Sequence, residues 1–202
     1  MKIIGVGRNY VDHAKELGNA VPDEPVLFLM PDSAILRNND AFYYPNFTKD
    51  IHYEIEIVVK ISAVGKNISE KFAPKYYDEI GLGIDFTARD LQTIAKEKGL
   101  SWLKAKGFDG SLPISKFQPK ENFDLNNLNF SLKKNGAIVQ NGNTKDMLFN
   151  INVLIANISQ YFTLKKGDLI YTGTPSGVGP IQIGDKLEGF IENEKLLDFE
   201  IK

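Results

Sequence analysis

The stretch Ile51-His52-Tyr53-Glu54-Ile55-Glu56-Ile57-Val58-Val59-Lys60-Ile61 is rich in β-branched residues, and polar and apolar side chains alternate through its first half. Successive side chains of a strand point to opposite faces, so the stretch predicts a long strand with His52, Glu54 and Glu56 on one face. Isoleucine and tyrosine side chains occupy the other face.

Further strands are predicted on both sides of this stretch, where short apolar runs lie between turn residues. They are Lys2–Val6, Val26–Met30, Phe42–Tyr44, a strand ending at Ile84–Asp85, the hairpin pair Leu128–Leu132 and Ala137–Gln140 around an Asn-Gly turn, Leu169–Thr172, and short closing strands within Ile181–Ile201. Helical patterns cover Asn9–Leu17 with a stop at Gly18-Asn19, Ala88–Glu97, and Asp146–Phe162. Because helices and strands do not alternate regularly, we expect an α+β, β-rich domain with a mostly antiparallel, rolled sheet.

The composition is that of an ordinary globular protein. With 202 residues, 43% of them hydrophobic, the chain can form one domain over residues 1–202 with a substantial core. The net charge is −2 and Lys and Arg are scattered, so we expect a small-molecule ligand and no nucleic acid partner. The lack of cysteine excludes disulfides, thiol nucleophiles and cysteine zinc sites. No run approaches the ~18 apolar residues of a membrane span, which predicts a soluble, unprocessed, cytoplasmic protein with no membrane partner.

The paired glutamates of the opening stretch are candidate metal ligands. Glu54 and Glu56 stand about 7 Å apart along the predicted strand. Their mutual repulsion would be relieved by a hard cation such as Mg²⁺ or Mn²⁺, although a solvated strand face alternates in the same way. Asp85, at the end of another strand, is a possible third ligand or a helix-capping acid. Three carboxylates and waters complete an octahedron that leaves positions open for an α-oxo acid.

His13 and Glu16 lie three residues apart on the predicted N-terminal helix and therefore share a face. They are suited to act as a general base and its orienting acid, although an exposed helix pair has the same spacing. The preceding Gly5-Val6-Gly7-Arg8-Asn9 is typical of the approach to a mobile lid. Tyr10 stands where a dinucleotide fingerprint has its third glycine, so nucleotide binding of that type is not supported.

Two further segments could contact an anion. Lys106, between small and aromatic residues, could stabilise developing negative charge, although a lone lysine is usually a surface residue. The glycine-rich loop from Thr172 to Pro180 offers backbone N–H groups, although it could equally be a plain turn. It lacks the Gly-Lys-Ser/Thr of a phosphate-binding loop.

Taken together, these motifs resemble those of small members of the fumarylacetoacetate hydrolase family of the acylpyruvate hydrolase type, over essentially the whole chain. The resemblance is carried by five motifs in a specific order: Gly7-Arg8-Asn9-Tyr10 with Asp12-His13 and Glu16, Glu54-x-Glu56, Asp85-x-Thr87-Ala88-Arg89-Asp90-x-Gln92, Lys104-Ala105-Lys106-Gly107-Phe108-Asp109, and Thr172-Gly173-Thr174-Pro175-x-Gly177-Val178-Gly179.

The resemblance implies a role for each motif. Glu54, Glu56 and Asp85 would bind Mg²⁺ or Mn²⁺. The residues that contact the substrate would be Arg8, Arg89, Gln92 and Thr174. The catalytic residues would be His13, Glu16 and Lys106. The implied fold is a mixed β-roll or sandwich with a few peripheral helices and a short lid helix within residues 1–20 that orders on substrate binding, usually in a homodimer.

The implied function is that of a metal-dependent hydrolase that cleaves a C–C bond in acylpyruvate-type acids, with or without oxaloacetate decarboxylase activity. Two alternatives stay open. One is an isomerase or tautomerase of oxo- or hydroxymuconate-type dicarboxylic acids, and the other is a non-catalytic ligand-binding protein. The three reactions share one enolate intermediate, so the sequence does not choose between them.

Overall fold

The structure, a computed structural model, describes residues 1–16 and 21–202, except for the side chains of Ala14 and Lys15. Within these residues the chain forms fifteen strands. They are β1 Ile3–Gly7, β2 Val26–Met30, β3 Ile35–Leu36, β4 Ile51–Tyr53, β5 Ile55–Ile61, β6 Tyr77–Ile84, β7 Thr87–Ala88, β8 Leu112–Pro113, β9 Gln118–Pro119, β10 Asn129–Lys134, β11 Ala137–Asn143, β12 Leu169–Tyr171, β13 Gly179–Pro180, β14 Lys186–Ile191 and β15 Glu194–Glu200.

Four α-helices and four short 3₁₀ helices lie between these strands in the described residues. The α-helices are α1 Val11–Glu16, α2 Arg89–Glu97, α3 Leu103–Lys106 and α4 Ile151–Tyr161. The 3₁₀ helices are Asp32–Ala34, Glu70–Lys75, Lys120–Asn122 and Thr144–Asp146. No helix of the described residues is long and apolar enough to cross a membrane.

The largest sheet has six strands in the order β2-β1-β12-β5-β6-β9, and only its β1 and β12 run parallel. Its strand β5 is buried on both faces, with Ile57 and Val59 in the main core and Val58 in a smaller one on the other side. A four-stranded antiparallel sheet, β11-β10-β14-β15, covers the main core. Smaller sheets, β13-β4-β7 and β3-β8, complete the fold. The predicted α+β, β-rich class is confirmed.

Two local predictions are also confirmed. Strand Val26–Met30 has the predicted bounds. The Asn-Gly hairpin joins β10 to β11, and Asn135 and Gly136 both have positive φ, 53° and 83°, as a tight turn of this type requires.

Three predicted elements differ in the structure. The strand Ile51–Ile61 is two strands, because the chain leaves the three-stranded sheet and enters the six-stranded sheet at Glu54. Phe42–Tyr44 makes only a one-residue bridge, from Phe42 to Ile201, with one more hydrogen bond from the Tyr44 N–H to the Lys202 carbonyl at 2.7 Å. The helix predicted from Asp146 begins at Ile151. The Gly18-Asn19 stop lies outside the described residues.

The late start of α4 has a clear cause. Asn150 caps the helix, since its side chain accepts hydrogen bonds from the N–H groups of Asn152 and Val153. Before it, the N–H groups of Leu148 and Phe149 donate to the backbone and side chain of Asn9, at 2.8 Å each. These bonds hold residues 148–149 in an extended path.

Candidate metal centre and active site

The pairing of β5 with β6 brings the predicted metal ligands together. Ile55 pairs with Ile84, so Glu54 and Asp85 meet just beyond the ladder, where the Asp85 N–H donates to the Glu54 carbonyl at 2.9 Å. Carboxylate oxygens of Glu54, Glu56 and Asp85 all lie within 4.8 Å of one another.

Burial decides between the alternative interpretations of these acids. The exposed fractions of Glu54, Glu56 and Asp85 are 5%, 2% and 1%, so the paired glutamates do not form a solvated strand face. Asp85 does not cap a helix either. The N-cap of α2 is Ala88, which has no side-chain capping bond.

A close approach of the backbone supports Glu56. The N–H of Gly173 donates to Glu56 Oε2 at 2.8 Å. Gly173 has φ of 97°, and a Cβ there would lie 2.7 Å from the Cβ of Asn9. A side chain at this position would therefore displace the loop that holds Glu56.

Two cationic side chains, from helices α3 and α2, form ion pairs with the acids. Lys106, the last residue of α3 and 3% exposed, donates from Nζ to Glu54 Oε2 and to Asp85 Oδ2, at 2.7 Å each. Arg89, the first residue of α2, donates to the other Glu54 oxygen at 2.6 Å and to Gln92 Oε1 at 2.7 Å. The predicted substrate contacts Arg89 and Gln92 are thus bonded to each other beside the acids.

The electrostatics of the acids follow from these contacts. Burial raises the pKa of Glu54, but Lys106 and Arg89 outweigh it and hold that pKa well below its ordinary value. Burial, aided by the charge of Asp85, raises the pKa of Glu56. Burial raises the pKa of Asp85 to about 6 even though Lys106 opposes it. Without a further positive charge, the cluster therefore tends to keep a proton on Asp85 or Glu56.

The acids fit a hard divalent cation. Asp85 Oδ1 is buried without a hydrogen-bond partner among the described residues, and such an atom is costly unless something binds it. The donor set consists of carboxylate oxygens only, which Mg²⁺ and Mn²⁺ prefer over softer metals. Neither chemistry nor burial distinguishes between these two ions.

The predicted lid residues lie against this centre. His13, on α1, is 5% exposed, and its Nδ1 lies 3.3 Å from Glu16 Oε2. Glu16 also accepts from the N–H of Gly177, at 3.0 Å and 3.2 Å to its two oxygens. A single carboxylate therefore both orients His13 and ties α1 to the glycine-rich loop.

The opposite wall includes Thr174, which is buried. Its Oγ1 accepts from Gln140 Nε2 at 2.9 Å, while Gln140 Oε1 accepts from the N–H of Ile55 at 2.9 Å. Gln140 therefore connects the start of β5 to the loop that carries Thr174. The sequence did not single out Gln140, because an amide on a hairpin strand 85 positions from its partner has no local signature.

These side chains enclose a cavity of about 30 Å³, which would fit at most a few water molecules. Nine of the ten predicted site residues line it. They are Arg8, His13, Glu54, Glu56, Asp85, Arg89, Gln92, Lys106 and Thr174. Glu16 is the exception and lies behind His13. The cavity is partly open to solvent, and its walls would have to widen to hold a whole oxo-acid.

Five further residues border the cavity. Val6 and Gly7 belong to the predicted approach to the lid, whereas Phe28, Lys96 and Trp102 were not predicted. The Phe28 and Trp102 rings pack with their centroids 5.7 Å apart. Lys96 could have been found from its spacing, because it lies seven residues after Arg89 on the same helical face.

The chain is similar to proteins of known family along nearly its whole length. The family described as "Fumarylacetoacetate (FAA) hydrolase C-terminal" matches residues 2–202. "Oxaloacetate tautomerase FAHD1, mitochondrial" of Arabidopsis thaliana is 44% identical over 202 residues, which cover 100% of this chain and 91% of that protein. "Oxaloacetate decarboxylase, mitochondrial" of Dictyostelium discoideum is 46% identical over 189 residues, or 93% of this chain and 87% of that protein.

A solved structure adds a ligand-bound comparison. It is the fumarylpyruvate hydrolase of Pseudomonas aeruginosa in complex with Mn²⁺ and pyruvate, with 32% sequence identity and a TM-score of 0.94. The superposition covers 100% of this chain and 89% of that one.

Proposed function

The chain belongs to the fumarylacetoacetate hydrolase family, and from that membership we propose that it is a metal-dependent enzyme that interconverts the enol and keto forms of oxaloacetate. The observation that carries the proposal is the joining of three buried carboxylates, a buried lysine and a histidine with its orienting acid around one small cavity. The name of the 44% identical Arabidopsis relative supports this reaction over the predicted hydrolysis.

In this proposal, Glu54, Glu56 and Asp85 hold Mg²⁺ or Mn²⁺. The cation, when bound, would polarise the 2-oxo group of the substrate. The Mn²⁺ named for the hydrolase structure from Pseudomonas supports the binding of a divalent cation here.

Lys106 places a buried ammonium at the edge of the carboxylate cluster. Negative charge that develops on the substrate oxygen during enolisation would be stabilised there, because the charge is fixed in place and little screened. Arg89 and Gln92, already bonded to each other, would orient the carboxylate next to the oxo group.

His13 is the group suited to move the proton between C3 and the oxygen. Its Nδ1 contact with Glu16 orients the ring, and its side chain borders the cavity. The reaction needs no water, since a proton leaves one atom of the substrate and another proton returns to a second atom.

Hydrolysis of an acylpyruvate is the second candidate, and the named activity of the Pseudomonas structure favours it. The same His13–Glu16 pair could instead take a proton from water for attack on the distal carbonyl. Decarboxylation of oxaloacetate, named for the Dictyostelium relative, is a third outcome at the same centre. A non-catalytic role is disfavoured because these relatives are named as enzymes.

The products separate the three reactions. Purified protein would be given the enol of oxaloacetate, and separately fumarylpyruvate, with Mg²⁺ or Mn²⁺, while NMR follows substrate and products. We expect faster enol-to-keto conversion without loss of CO₂, abolished by EDTA. Pyruvate with CO₂ from oxaloacetate would indicate a decarboxylase, and fumarate with pyruvate from fumarylpyruvate would indicate a hydrolase. Activity that survives complete chelation would contradict the metal assignment.

Our proposals for the oligomeric state and the cellular location of the protein follow from the family resemblance and the sequence. We propose a homodimer from the family resemblance, to be measured by light scattering of the purified protein. We also propose a cytoplasmic location, although the Arabidopsis and Dictyostelium relatives are named as mitochondrial, so imaging of the tagged protein is needed.

A further inference from the structure

One face of helix α2 starts beside the carboxylate cluster and continues along the cavity. Arg89, Gln92 and Lys96 lie on this face at positions i, i+3 and i+7, and all three border the cavity. Arg89 bonds to Glu54, whereas Lys96 stands about 10 Å further along the helix axis, from a rise of ~1.5 Å per residue. The face therefore presents one cation at the reacting end and another further out.

Lys96 lacks a carboxylate partner among the described residues, and the same is true of Arg8, which also borders the cavity. The undescribed residues 17–20 are Leu, Gly, Asn and Ala, so they cannot supply one. Within the cavity, Glu54 and Asp85 are bonded to Arg89 and Lys106. Two cations thus face a shared space without a counter-ion.

The position of Lys96 is set by an aromatic neighbour. Its Nζ lies 5.6 Å from the centroid of the Trp102 ring, which packs against Phe28. A lysine held over an indole face keeps its charge near the cavity at small cost. Burial, and then the positive charges of Arg89 and Arg8, lower the pKa of Lys96, which places its ammonium in a field that an anion would relieve.

We propose that Lys96, together with Arg8, binds the distal carboxylate of the substrate, so that the enzyme selects oxo-diacids over oxo-acids with a neutral tail. The proposal rests on the proposed function and adds a residue that determines specificity. The metal centre would bind the oxo-acid end of any such substrate, whereas Lys96 would contact only the far end of a diacid.

The test compares two substrates that are identical at the oxo-acid end: oxaloacetate, and its 4-ethyl ester, which lacks the distal charge. Lys96→Gln is compared with Lys98→Gln, because Lys98 is exposed like Lys96 and lies at the same helix end but does not border the cavity. For oxaloacetate we expect Lys96→Gln to raise KM about tenfold with little change in kcat, as for loss of a charged hydrogen bond. KM for the ester should change less than about twofold, and Lys98→Gln should behave like the wild type.

A binding readout separates failure of this proposal from failure of the proposed reaction. Trp102 is the chain's one tryptophan and lies under Lys96, so its fluorescence can report the Kd of both compounds for the Mg²⁺-loaded protein without turnover. If the wild type binds the diacid more tightly and Lys96→Gln removes that preference, the subsite stands even when neither compound reacts. Equal effects on diacid and ester, or no effect, would overturn the role of Lys96 whatever the reaction proves to be.

Discussion

The backbone N–H of Asp85 donates to the carbonyl oxygen of Glu54 at 2.9 Å, so two of the three acids are joined across neighbouring strands before any side chain is considered. Their carboxylates are consequently fixed relative to each other by the sheet. Such preorganisation is what a metal site requires of its ligands.

Removal of one ligand should weaken metal binding. We predict that Asp85→Asn lowers Mn²⁺ affinity by more than about tenfold, because even the outer partners of metal ligands contribute about that much. Isothermal titration calorimetry measures the change. Asp78→Asn, at the exposed far end of the same strand, is the matched control and should bind Mn²⁺ like the wild type. Equal affinities of all three proteins would show that Asp85 is not a ligand.

Metal binding should also depend on pH, with a definite sign. The pKa of Asp85 is raised to about 6 and that of Glu56 is raised as well, both mainly by burial, so the metal-free protein holds more protons there than the unfolded chain does above pH 4. These two groups therefore make the metal-free protein less stable as the pH rises towards and past 6.

A cation replaces those protons. The rise in Tm that Mg²⁺ or Mn²⁺ produces should consequently be small at pH 5 and large at pH 8. As the pH is lowered, the apparent affinity for the cation should fall by up to about tenfold per pH unit for each proton displaced. Scanning calorimetry at fixed metal concentration measures it. A rise in Tm that is the same at both pH values would contradict protonation of the acids.

Lys106 should be needed for turnover but not for metal binding. We predict that Lys106→Gln lowers kcat about 10²- to 10³-fold, as loss of a fixed charge at a developing anion does. Metal affinity should stay the same or increase, since a positive charge 2.7 Å from two ligands has been removed. Lys104→Gln, exposed on the same helix, should leave both quantities unchanged. A Lys106→Gln variant that loses metal binding would instead assign the lysine a structural role.

His13, on the predicted lid helix, should affect turnover and not metal binding. We predict that His13→Ala keeps the Mn²⁺ affinity of the wild type and lowers turnover by about 10²-fold or more, within the range for a proton-transfer group. Steady-state kinetics and calorimetry on the same preparation measure both. Asp12→Asn, an exposed neighbour on the same helix, serves as the control. Unchanged turnover in His13→Ala would remove this residue from the mechanism.

Local pattern was sufficient to predict much of this arrangement. The alternation through Glu54 and Glu56 predicted a shared face, and the Asn-Gly pair predicted its hairpin, because both signals depend on neighbours in sequence. The break at Glu54 could not be predicted in this way. It arises because β4 and β5 pair with different sheets, and those partners are distant in sequence.

The walls of the cavity were the hardest part to predict. Phe28 lies on a strand whose sequence is that of a buried core strand. Lys96 lies in the last turn of α2, where basic residues are common, and Trp102 precedes α3. These three residues lie at the site only because the fold brings their distant segments together. The order and spacing of the five motifs, by contrast, named nine of the residues that border the cavity.

The strand break at Glu54 also bears on how the fold opens. On one side of this residue the chain belongs to the three-stranded sheet, and on the other to the six-stranded sheet that contains Glu56. A cation shared by Glu54, Glu56 and Asp85 would fasten two cooperative units that could otherwise separate by local unfolding. Amide protons of β4 and β13 should then exchange with solvent more slowly in the metal-loaded protein, since a bound cation would also hold the two sheets together.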